Sequence, residues 1–493
     1  MHFCFRIILL LTTPQLIFNF SVGSPPLGRA LRSRINHVVH PDDQSVSPLC
    51  TPLYFLQTLD HFNSLPESYH FFNQKFFMVD KHWRGSMFPI FVFLEGEQSL
   101  LEYQCSEGFM LDTADTFHPL MLFVEHRYYG DSIPFNSREE TFRNASTLGY
   151  LNSAQALADI AEIIISVKTN YSAHDSPVIV FGGSYAGNLA AWMRLKYPHL
   201  VLGALASSAP LLYFDGVTPK DGYDKVLSRD FKEISENCYK SIKQSWDMID
   251  EVAVEVNGLS ALSRQFHTCS KLDSSLELKY YLKYHYIQAT QYGAFSIVKF
   301  CKIVDEEGSS PNSNLLDSIA HAVAGAIGNN CLDDNVHLIS NDQAIINQVN
   351  YFAWGWQSCI DQVMPMGHGN DTIFQPGPFN WTEFKLRCKM NYGVPPRPHW
   401  ATKYYYGGRD PKLVLRRFAS NIIFSNGLRD PYSSGGVLED LSDTLVAITA
   451  KEGHHCFDLY SIAPRSKWEW EVRVKEVQII KSWLHKYYRH LEE

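Results

Sequence analysis

The segment around Ser184 carries the residue types of an activated serine nucleophile. A run of β-branched and aromatic residues at positions 178–181 leads into Gly182 and Gly183, and a helix-forming stretch follows the serine directly. A nucleophile held in a strained turn between strand and helix needs very small residues two places away on either side. Gly182 and Ala186 occupy these places. The pattern predicts a nucleophile elbow, and a tight turn with a bystander serine is the alternative.

Ser184 would need a general base and a carboxylate from later in the chain, because a serine hydroxyl is a weak nucleophile at neutral pH. Asp430 follows a strand-like run at residues 421–425, and His455 follows the next such run at residues 444–449. Serine, acid, histidine is the order in which an α/β-hydrolase supplies its triad. Taken singly, Asp430 is also a turn former and His455 a surface-loop residue. The ordered set of three favours the catalytic interpretation.

Two backbone segments are candidates for binding the oxyanion of an acyl-transfer reaction. The N–H of Tyr185 lies at the start of the helix after the nucleophile, where backbone donors point at negative charge. The second donor is expected in the loop after the strand-like run at residues 89–94, from Gly96 or Glu97. A plain acidic loop is the alternative. His126 precedes the serine in the chain, so we assign it a structural role.

The order of apolar segments predicts an α/β protein with an α/β-hydrolase fold. Short unalternated apolar runs at residues 89–94, 120–124, 177–181 and 201–205, with a helical pattern at residues 148–168 between them, are typical of a buried parallel sheet. From residue 211 to 415 the chain becomes helix-like and rich in cysteine, before the strand pattern returns. We therefore expect a hydrolase core in two parts, residues 51–210 and 416–493, separated by a large inserted helical cap domain, residues 211–415.

The first residues have the pattern of a secretory signal peptide, residues 1–23, with one early arginine, a short apolar run and small residues at the end. A membrane anchor is the alternative, but Pro14 and Asn19 interrupt the run, which is shorter than the ~20 apolar residues of a membrane span. Residues 24–50 resemble a leader or propeptide. No later segment is apolar enough to span a bilayer, so we expect no stable membrane insertion.

Two further features indicate a protein of the secretory pathway, either secreted or in the lumen of a lysosome or vacuole. The chain has ten cysteines without a metal-type C-x-x-C pair, and disulfides are the usual use of such cysteines in an oxidising compartment. Four N-glycosylation acceptors follow the predicted signal peptide: Asn144, Asn170, Asn370 and Asn380. The net charge of −9, without a cluster of Lys or Arg, excludes nucleic-acid partners.

Several motifs in order resemble the family of lysosomal Pro-X carboxypeptidase (prolylcarboxypeptidase) and dipeptidyl peptidase II. They are Glu-His-Arg-Tyr-Tyr-Gly at 125–130, Gly-Gly-Ser-Tyr-Ala-Gly at 182–187, Ser-Asn-Gly at 425–427 with Asp-Pro at 430–431, and Glu-Gly-x-His-x-x-Asp-Leu at 452–459. The resemblance spans about residues 50–490. It implies a serine peptidase with the triad Ser184, Asp430 and His455, peptide substrates cleaved next to proline, and no metal or organic cofactor.

The resemblance also carries expectations for the pocket and the cap. Positions matching the family's proline pocket are Asn188, Met364 and Tyr432, and Asn188 stands where an apolar residue is common. Cys456 replaces the family's second histidine, and Glu-Gly-Glu-Gln at 95–98 replaces Gly-Asn-Glu-Gly. The implied cap disulfides are Cys238–Cys301, Cys269–Cys331 and Cys359–Cys388.

The expected activity is the release of a C-terminal residue from Pro-X peptides. Three alternatives stay open: a dipeptidyl peptidase that releases N-terminal X-Pro dipeptides, a carboxylesterase, and a non-catalytic hydrolase-like binding protein. A homodimer is an open expectation for the assembly.

Overall fold

The computed structural model describes residues 35–37, 50–308, 314–328, 330–333, 341–460 and 466–493. The predicted signal peptide, residues 1–23, lies outside the described residues. So does the predicted leader, residues 24–50, except for residues 35–37 and 50. The part of this leader at residues 35–37 forms a strand that pairs with the folded body.

A single sheet crosses the described part of the chain. Its strands are β1 (Ile35–His37), β2 (Pro52–Thr58), β3 (Phe71–Val79), β4 (Ile90–Leu94), β5 (Leu120–Val124), β6 (Val178–Gly183), β7 (Gly203–Ser207), β8 (Ile422–Gly427) and β9 (Leu445–Ala450). The spatial order is β1-β2-β3-β5-β4-β6-β7-β8-β9. Strands β4 to β9 pair in parallel, as the unalternated apolar runs predicted. The antiparallel strands β1 to β3 were not predicted.

The helices divide into those around the sheet and those inserted between β7 and β8. The first group comprises α1 (Phe109–Asp112), α2 (Ala114–Phe117), α3 (Arg138–Thr141), α4 (Ala145–Leu148), α5 (Ser153–Asn170) and α6 (Tyr185–Lys196). The inserted group comprises α7 (Gly222–Ile234), α8 (Glu236–Ala253), α9 (Gly258–Gln265), α10 (Ser275–Tyr292), α11 (Ile297–Gly308), α12 (Leu315–Ala326), α13 (Asn341–Ile360), α14 (Trp381–Tyr392), α15 (Trp400–Tyr406) and α16 (Pro411–Phe418). A final helix, α17 (Lys467–Glu492), follows β9.

Both faces of the sheet are buried along β4 to β8, which explains why these strands show no alternation of apolar and polar residues. Val92 and Val180 belong to the cluster formed with α5 and α6, whereas Phe91 and Phe181 belong to the cluster formed with α1, α2 and α17. Side chains alternate between the faces of a strand, so each strand serves two layers. The result is an α/β-hydrolase fold in which the carboxyl ends of the parallel strands meet along one edge.

The inserted helices have an apolar core of their own, to which α7, α8, α10, α11 and α12 contribute. Four disulfides are present in the described residues: Cys50–Cys105, Cys238–Cys301, Cys269–Cys331 and Cys359–Cys388. The last three lie within the inserted segment and are the pairs that the family resemblance implied. The first, which the sequence left unpaired, connects the start of β2 to the loop after β4. Among the described residues, no helix combines the length and hydropathy needed to cross a bilayer.

Candidate active site

Ser184 lies at the sharp turn between β6 and α6. Its backbone has φ 59° and ψ −127°, a conformation that a residue with a side chain seldom adopts. The Ser184 N–H donates to the carbonyl of Ser207 at 2.9 Å and so holds the turn against β7. A Cβ on Gly182 would lie 2.1 Å from the carbonyl oxygen of Ala186. Glycine at position 182 is therefore required by the close approach of strand and helix.

Asp430 and His455 meet beyond the ends of β8 and β9. The Nδ1 atom of His455 lies 2.6 Å from Oδ2 of Asp430, and the other carboxylate oxygen accepts the N–H of Tyr432 at 3.0 Å. The His455 N–H donates to the carbonyl of Gln291 in α10 at 2.7 Å. An inserted helix thus fixes the backbone of this histidine. The neighbouring His454 is engaged elsewhere, because its Nδ1 contacts the carbonyl of Thr290 at 2.7 Å.

The environment of His455 favours the protonated imidazole. Burial opposes a charge there and would by itself lower the pKa of the ring. The negative charge and hydrogen bond of Asp430, together with the sulfur of Cys456, outweigh burial and raise the pKa of His455 well above its ordinary value. An imidazole that takes up a proton during a reaction would accordingly be stabilised in its charged form.

A single cleft brings most of the predicted site residues together. The sheet side of its wall includes Ser184, Tyr185, Gly96, Glu97, Tyr432, His455 and Cys456. The inserted segment contributes Gln291, Tyr292 and Trp354 from its helices and Met364 from the stretch between α13 and α14. Sequence reasoning missed Gln291, Tyr292 and Trp354, whose positions give no local signal because only the packing of α10 and α13 over the sheet brings them to the serine.

Asn188 differs from the other predicted pocket residues because it does not line this cleft. Its backbone N–H closes the first turn of α6 on the carbonyl of Ser184, and its side chain is buried. The Oδ1 atom of Asn188 is buried without a hydrogen-bond partner. A buried oxygen without a hydrogen-bond partner costs free energy of folding. The chain carries this cost one helical turn after the serine.

The loop after β4, from which the sequence predicted an oxyanion donor, packs against the elbow. A Cβ on Gly96 would lie 3.6 Å from the backbone nitrogen of Ala186. The Gly96 N–H donates to the Glu95 carboxylate at 3.3 Å, and that carboxylate also accepts hydrogen bonds from Gln98 and Gln104. Burial raises the pKa of Glu95 and of Glu97 to about 7 in each case. Two carboxyl groups that titrate near neutrality therefore flank the cleft.

His126 lies beneath the site and supports it. Its Nε2 is 3.1 Å from the hydroxyl of Tyr185, and its Nδ1 contacts the carbonyl of Arg127 at 2.7 Å. Burial lowers the pKa of His126 to about 4, which keeps the ring neutral. Arg127 is fully buried in an ion pair with Asp159. These contacts agree with the structural role expected for His126.

The four predicted glycosylation acceptors lie at exposed positions: Asn144, Asn170, Asn370 and Asn380. Asn144 and Asn380 also cap the N-termini of α4 and α14 through their side-chain oxygens. Capping uses the Oδ1 atoms of these two side chains. The amide nitrogens, to which a glycan would be attached, take no part in it.

Comparison with known proteins agrees with the geometry. The family model described as serine carboxypeptidase S28 matches residues 57–475. The chain is 33% identical to the lysosomal Pro-X carboxypeptidase of Mus musculus, over 99% of each chain, and 35% identical to that of Homo sapiens, over 88% of each. It is 29% identical to the thymus-specific serine protease of Mus musculus, over 87% of this chain and 86% of that protein.

Proposed function

Because the chain belongs to the serine carboxypeptidase S28 family and is a serine peptidase, we propose that Ser184 is its nucleophile, His455 its general base and Asp430 the partner of the imidazole. The observation that carries this proposal is the 2.6 Å contact between His455 and Asp430 at the wall of the cleft that Ser184 also lines. The three residues come from the ends of three parallel strands. Their order in the chain is the one that this fold uses.

In the proposed reaction, Ser184 Oγ attacks the carbonyl of the scissile peptide while His455 Nε2 takes its proton. Asp430 keeps the Nδ1 proton in place and stabilises the imidazolium that forms. The tetrahedral oxyanion is bound by the N–H of Tyr185 at the start of α6 and by an N–H from Gly96 or Glu97. For Gly96 this role requires its N–H to leave the Glu95 carboxylate when substrate binds. His455 then protonates the leaving amine, and water releases the acyl group from the serine by the same steps in reverse.

The proposed substrates are peptides with proline on the acyl side of the cleaved bond. Apolar and aromatic side chains in the cleft, among them Trp354, Met364 and Tyr432, offer a surface for the proline ring. The curated relatives named Pro-X carboxypeptidases support release of a C-terminal residue as the principal activity. Asn188 lies behind the pocket and does not line the cleft, so we assign it no direct contact with the proline ring.

One observation favours the second candidate, removal of an N-terminal X-Pro dipeptide. Among the described residues that line the cleft there is no lysine or arginine to bind a substrate carboxylate, whereas the carboxyl groups of Glu95 and Glu97 are present. An ionised carboxylate is a natural partner for the free ammonium group of a peptide. The two candidates thus require opposite charges on the free end of the substrate.

The test compares substrates that differ only in the free end. An N-blocked Pro-Phe dipeptide with a free carboxylate is hydrolysed by a carboxypeptidase, and an X-Pro amidocoumarin with a free amine is hydrolysed by a dipeptidyl peptidase. We expect the first to be the better substrate and Ser184→Ala to abolish both activities. Preferential hydrolysis of a simple aryl ester, with neither peptide cleaved, would instead identify an esterase. Unchanged turnover by Ser184→Ala would remove the proposed mechanism.

We further propose that the mature protein resides in the secretory pathway, either secreted or in the lumen of a lysosome or vacuole. Four disulfides and four exposed glycosylation acceptors support this location. Endoglycosidase treatment of the protein made in its native cells would reduce its apparent mass if the acceptors are used.

A further inference from the structure

The last turn of α10 contacts the loop that carries the proposed general base. The carbonyl of Thr290 lies 2.7 Å from Nδ1 of His454. The next carbonyl, that of Gln291, accepts the backbone N–H of His455, also at 2.7 Å. Carbonyls at the C-terminal end of a helix lack partners within the helix and carry partial negative charge, so they are ready acceptors for such groups. The inserted segment is therefore attached to the catalytic loop at two adjacent points.

The His454 side chain is partly buried against this turn. Burial lowers the pKa of the ring and so favours its neutral form. Because a carbonyl oxygen can only accept, Nδ1 is the ring nitrogen that carries the proton. The contact is thus a hydrogen bond that His454 donates to α10, and it leaves both ring nitrogens of His455 available for Asp430 and Ser184.

A glycine at the end of the helix makes room for the His454 ring. Gly293 ends α10 with φ 62°, in the left-handed region where glycine is the usual residue. A Cβ at this position would lie 2.8 Å from Nε2 of His454 and 2.9 Å from its Cδ2. Glycine is therefore required here by the backbone conformation and by the ring that lies against it.

The end of α10 is itself held in place by side chains around the cleft. The Tyr223 hydroxyl donates to Oε1 of Gln291 at 2.6 Å, and Nε2 of Gln291 donates to the Tyr292 hydroxyl at 2.9 Å. The Tyr223 ring also packs edge-on against the ring of Tyr432, with 5.1 Å between the centroids. These contacts fix the helix end to which the catalytic loop is attached.

We propose that His454 is a positioning residue for the general base, which joins the loop after β9 to the last turn of α10 and so sets the position of the His455 backbone. This inference rests on the proposed catalytic role of His455. The ring contact restrains the residue before the base and the N–H contact restrains the base itself. Together they restrict the backbone rotations that would move the imidazole away from Ser184. His454 acts through His455 and is assigned no contact with substrate.

The first experiment measures kcat and KM for the wild type, His454→Ala and His454→Asn with the better of the two proline substrates. In His454→Ala the loop loses its contact with Thr290, and we expect kcat to fall about tenfold, a part of the about 10²–10⁴-fold that a positioned acid or base contributes. KM should change little. The amide nitrogen of asparagine lies close to the place of Nδ1 in histidine, so His454→Asn should recover most of kcat. A residue that only stabilised the fold would lower the melting temperature and leave kcat per active molecule unchanged.

A second pair of variants tests the same contact from the helix side. Gly293→Ala places a Cβ against the His454 ring. Its matched control is Gly407→Ala at the end of α15, where φ is also 62° and no described residue outside that helix end would lie within 4 Å of the Cβ. We expect kcat to fall in Gly293→Ala and to stay unchanged in Gly407→Ala. In the His454→Ala background, Gly293→Ala should lower kcat little further, because the ring that it displaces is absent.

Fluorophosphonate titration gives the fraction of active enzyme in each preparation and so corrects for misfolded protein. If His454→Ala fails to fold, the comparison of Gly293→Ala with Gly407→Ala decides the question. Wild-type kcat in the folded variants, or an equal loss in His454→Asn and His454→Ala, would overturn the inference. Abolished hydrolysis in Ser184→Ala, together with unchanged kcat in these variants, would leave the proposed function intact and reject only the role of His454.

Discussion

His455 Nδ1 and Asp430 Oδ2 are 2.6 Å apart, and both side chains are almost completely removed from solvent. This contact leaves Nε2 as the imidazole nitrogen that can exchange a proton with Ser184. The carboxylate also accepts the N–H of Tyr432, so its orientation is fixed by the turn that follows β8. The pair determines which tautomer of the histidine the site holds.

Asp430→Asn should preserve the shape of this contact and remove its charge. The amide favours the wrong tautomer of His455 and cannot stabilise the imidazolium, so we expect kcat to fall about 10⁴-fold with a small change in KM. Steady-state kinetics on a proline substrate measures the effect. The matched control is Asp443→Asn, at an exposed position, which should retain wild-type kinetics. Equal activity of Asp430→Asn and this control would contradict the assigned role.

Gly182→Ala should disrupt the elbow. A Cβ there would lie 2.1 Å from the Ala186 oxygen and 2.4 Å from its carbonyl carbon, and these backbone atoms cannot move aside without displacing α6. We expect loss of fluorophosphonate labelling and a lower melting temperature. Gly325→Ala is the matched control, because a Cβ on that helical glycine would meet the Ile303 side chain at an ordinary 3.5 Å. A Gly182→Ala protein that labels normally would show that the elbow tolerates a methyl group.

Glu97 should make the folded protein more stable in acid than at neutral pH. Burial raises its pKa to about 7 from the ordinary 4.5, so the folded state retains a proton that the unfolded chain releases. The resulting stabilisation is fully present below pH 4.5 and is lost as the pH rises through about 7. Denaturant unfolding at several pH values should show a smaller loss of stability over this range in Glu97→Gln than in the wild type.

The control for this prediction is Glu139→Gln, which changes an exposed glutamate outside the cleft. Its stability should follow the wild-type dependence on pH. A Glu97→Gln protein that loses as much unfolding free energy between pH 4.5 and 7 as the wild type would show that this carboxyl does not titrate as the buried geometry predicts.

Asn188→Leu should stabilise the fold. The side-chain oxygen of Asn188 is buried and unpaired, and leucine is an apolar side chain of similar size. Removal of an unsatisfied buried group should raise the free energy of unfolding by about 1 kcal/mol. Differential scanning calorimetry would register this as a higher melting temperature. A clear decrease would indicate that the amide makes a contact essential to the folded state.

The order of the candidate catalytic residues along the chain could be predicted because the segments that hold them have recognisable sequence patterns. The elbow at Ser184 requires small residues at fixed spacing, and parallel strands buried on both faces leave unalternated apolar runs that locate β4 to β8. Helix boundaries were less accurate: α5 begins at Ser153 and not near residue 148, because the side chain of Asn152 caps it by accepting the N–H of Gln155. Side-chain caps of this kind determine ends that periodicity alone leaves undefined.

The missed features depend on contacts between distant segments. Strands β2 and β3 alternate in burial and form the antiparallel edge of the sheet, a pattern weaker in sequence than that of the central strands. Tyr292 and Trp354 reach the cleft only because α10 and α13 fold over the sheet edge. Asn188 was expected in the pocket from the family resemblance, yet it is buried within α6 behind it. Asn188 lies one helical turn after Ser184, and its side chain is buried at this position of α6. The sequence alone did not show this burial.

Mapping the covalent adduct of a fluorophosphonate by mass spectrometry would test the central assignment most directly. We expect one adduct per molecule, on the peptide that contains Ser184, formed at a rate that follows the deprotonation of His455 and greatly slowed in His455→Ala. An adduct on another residue, or labelling of Ser184 that proceeds equally well in His455→Ala, would contradict it.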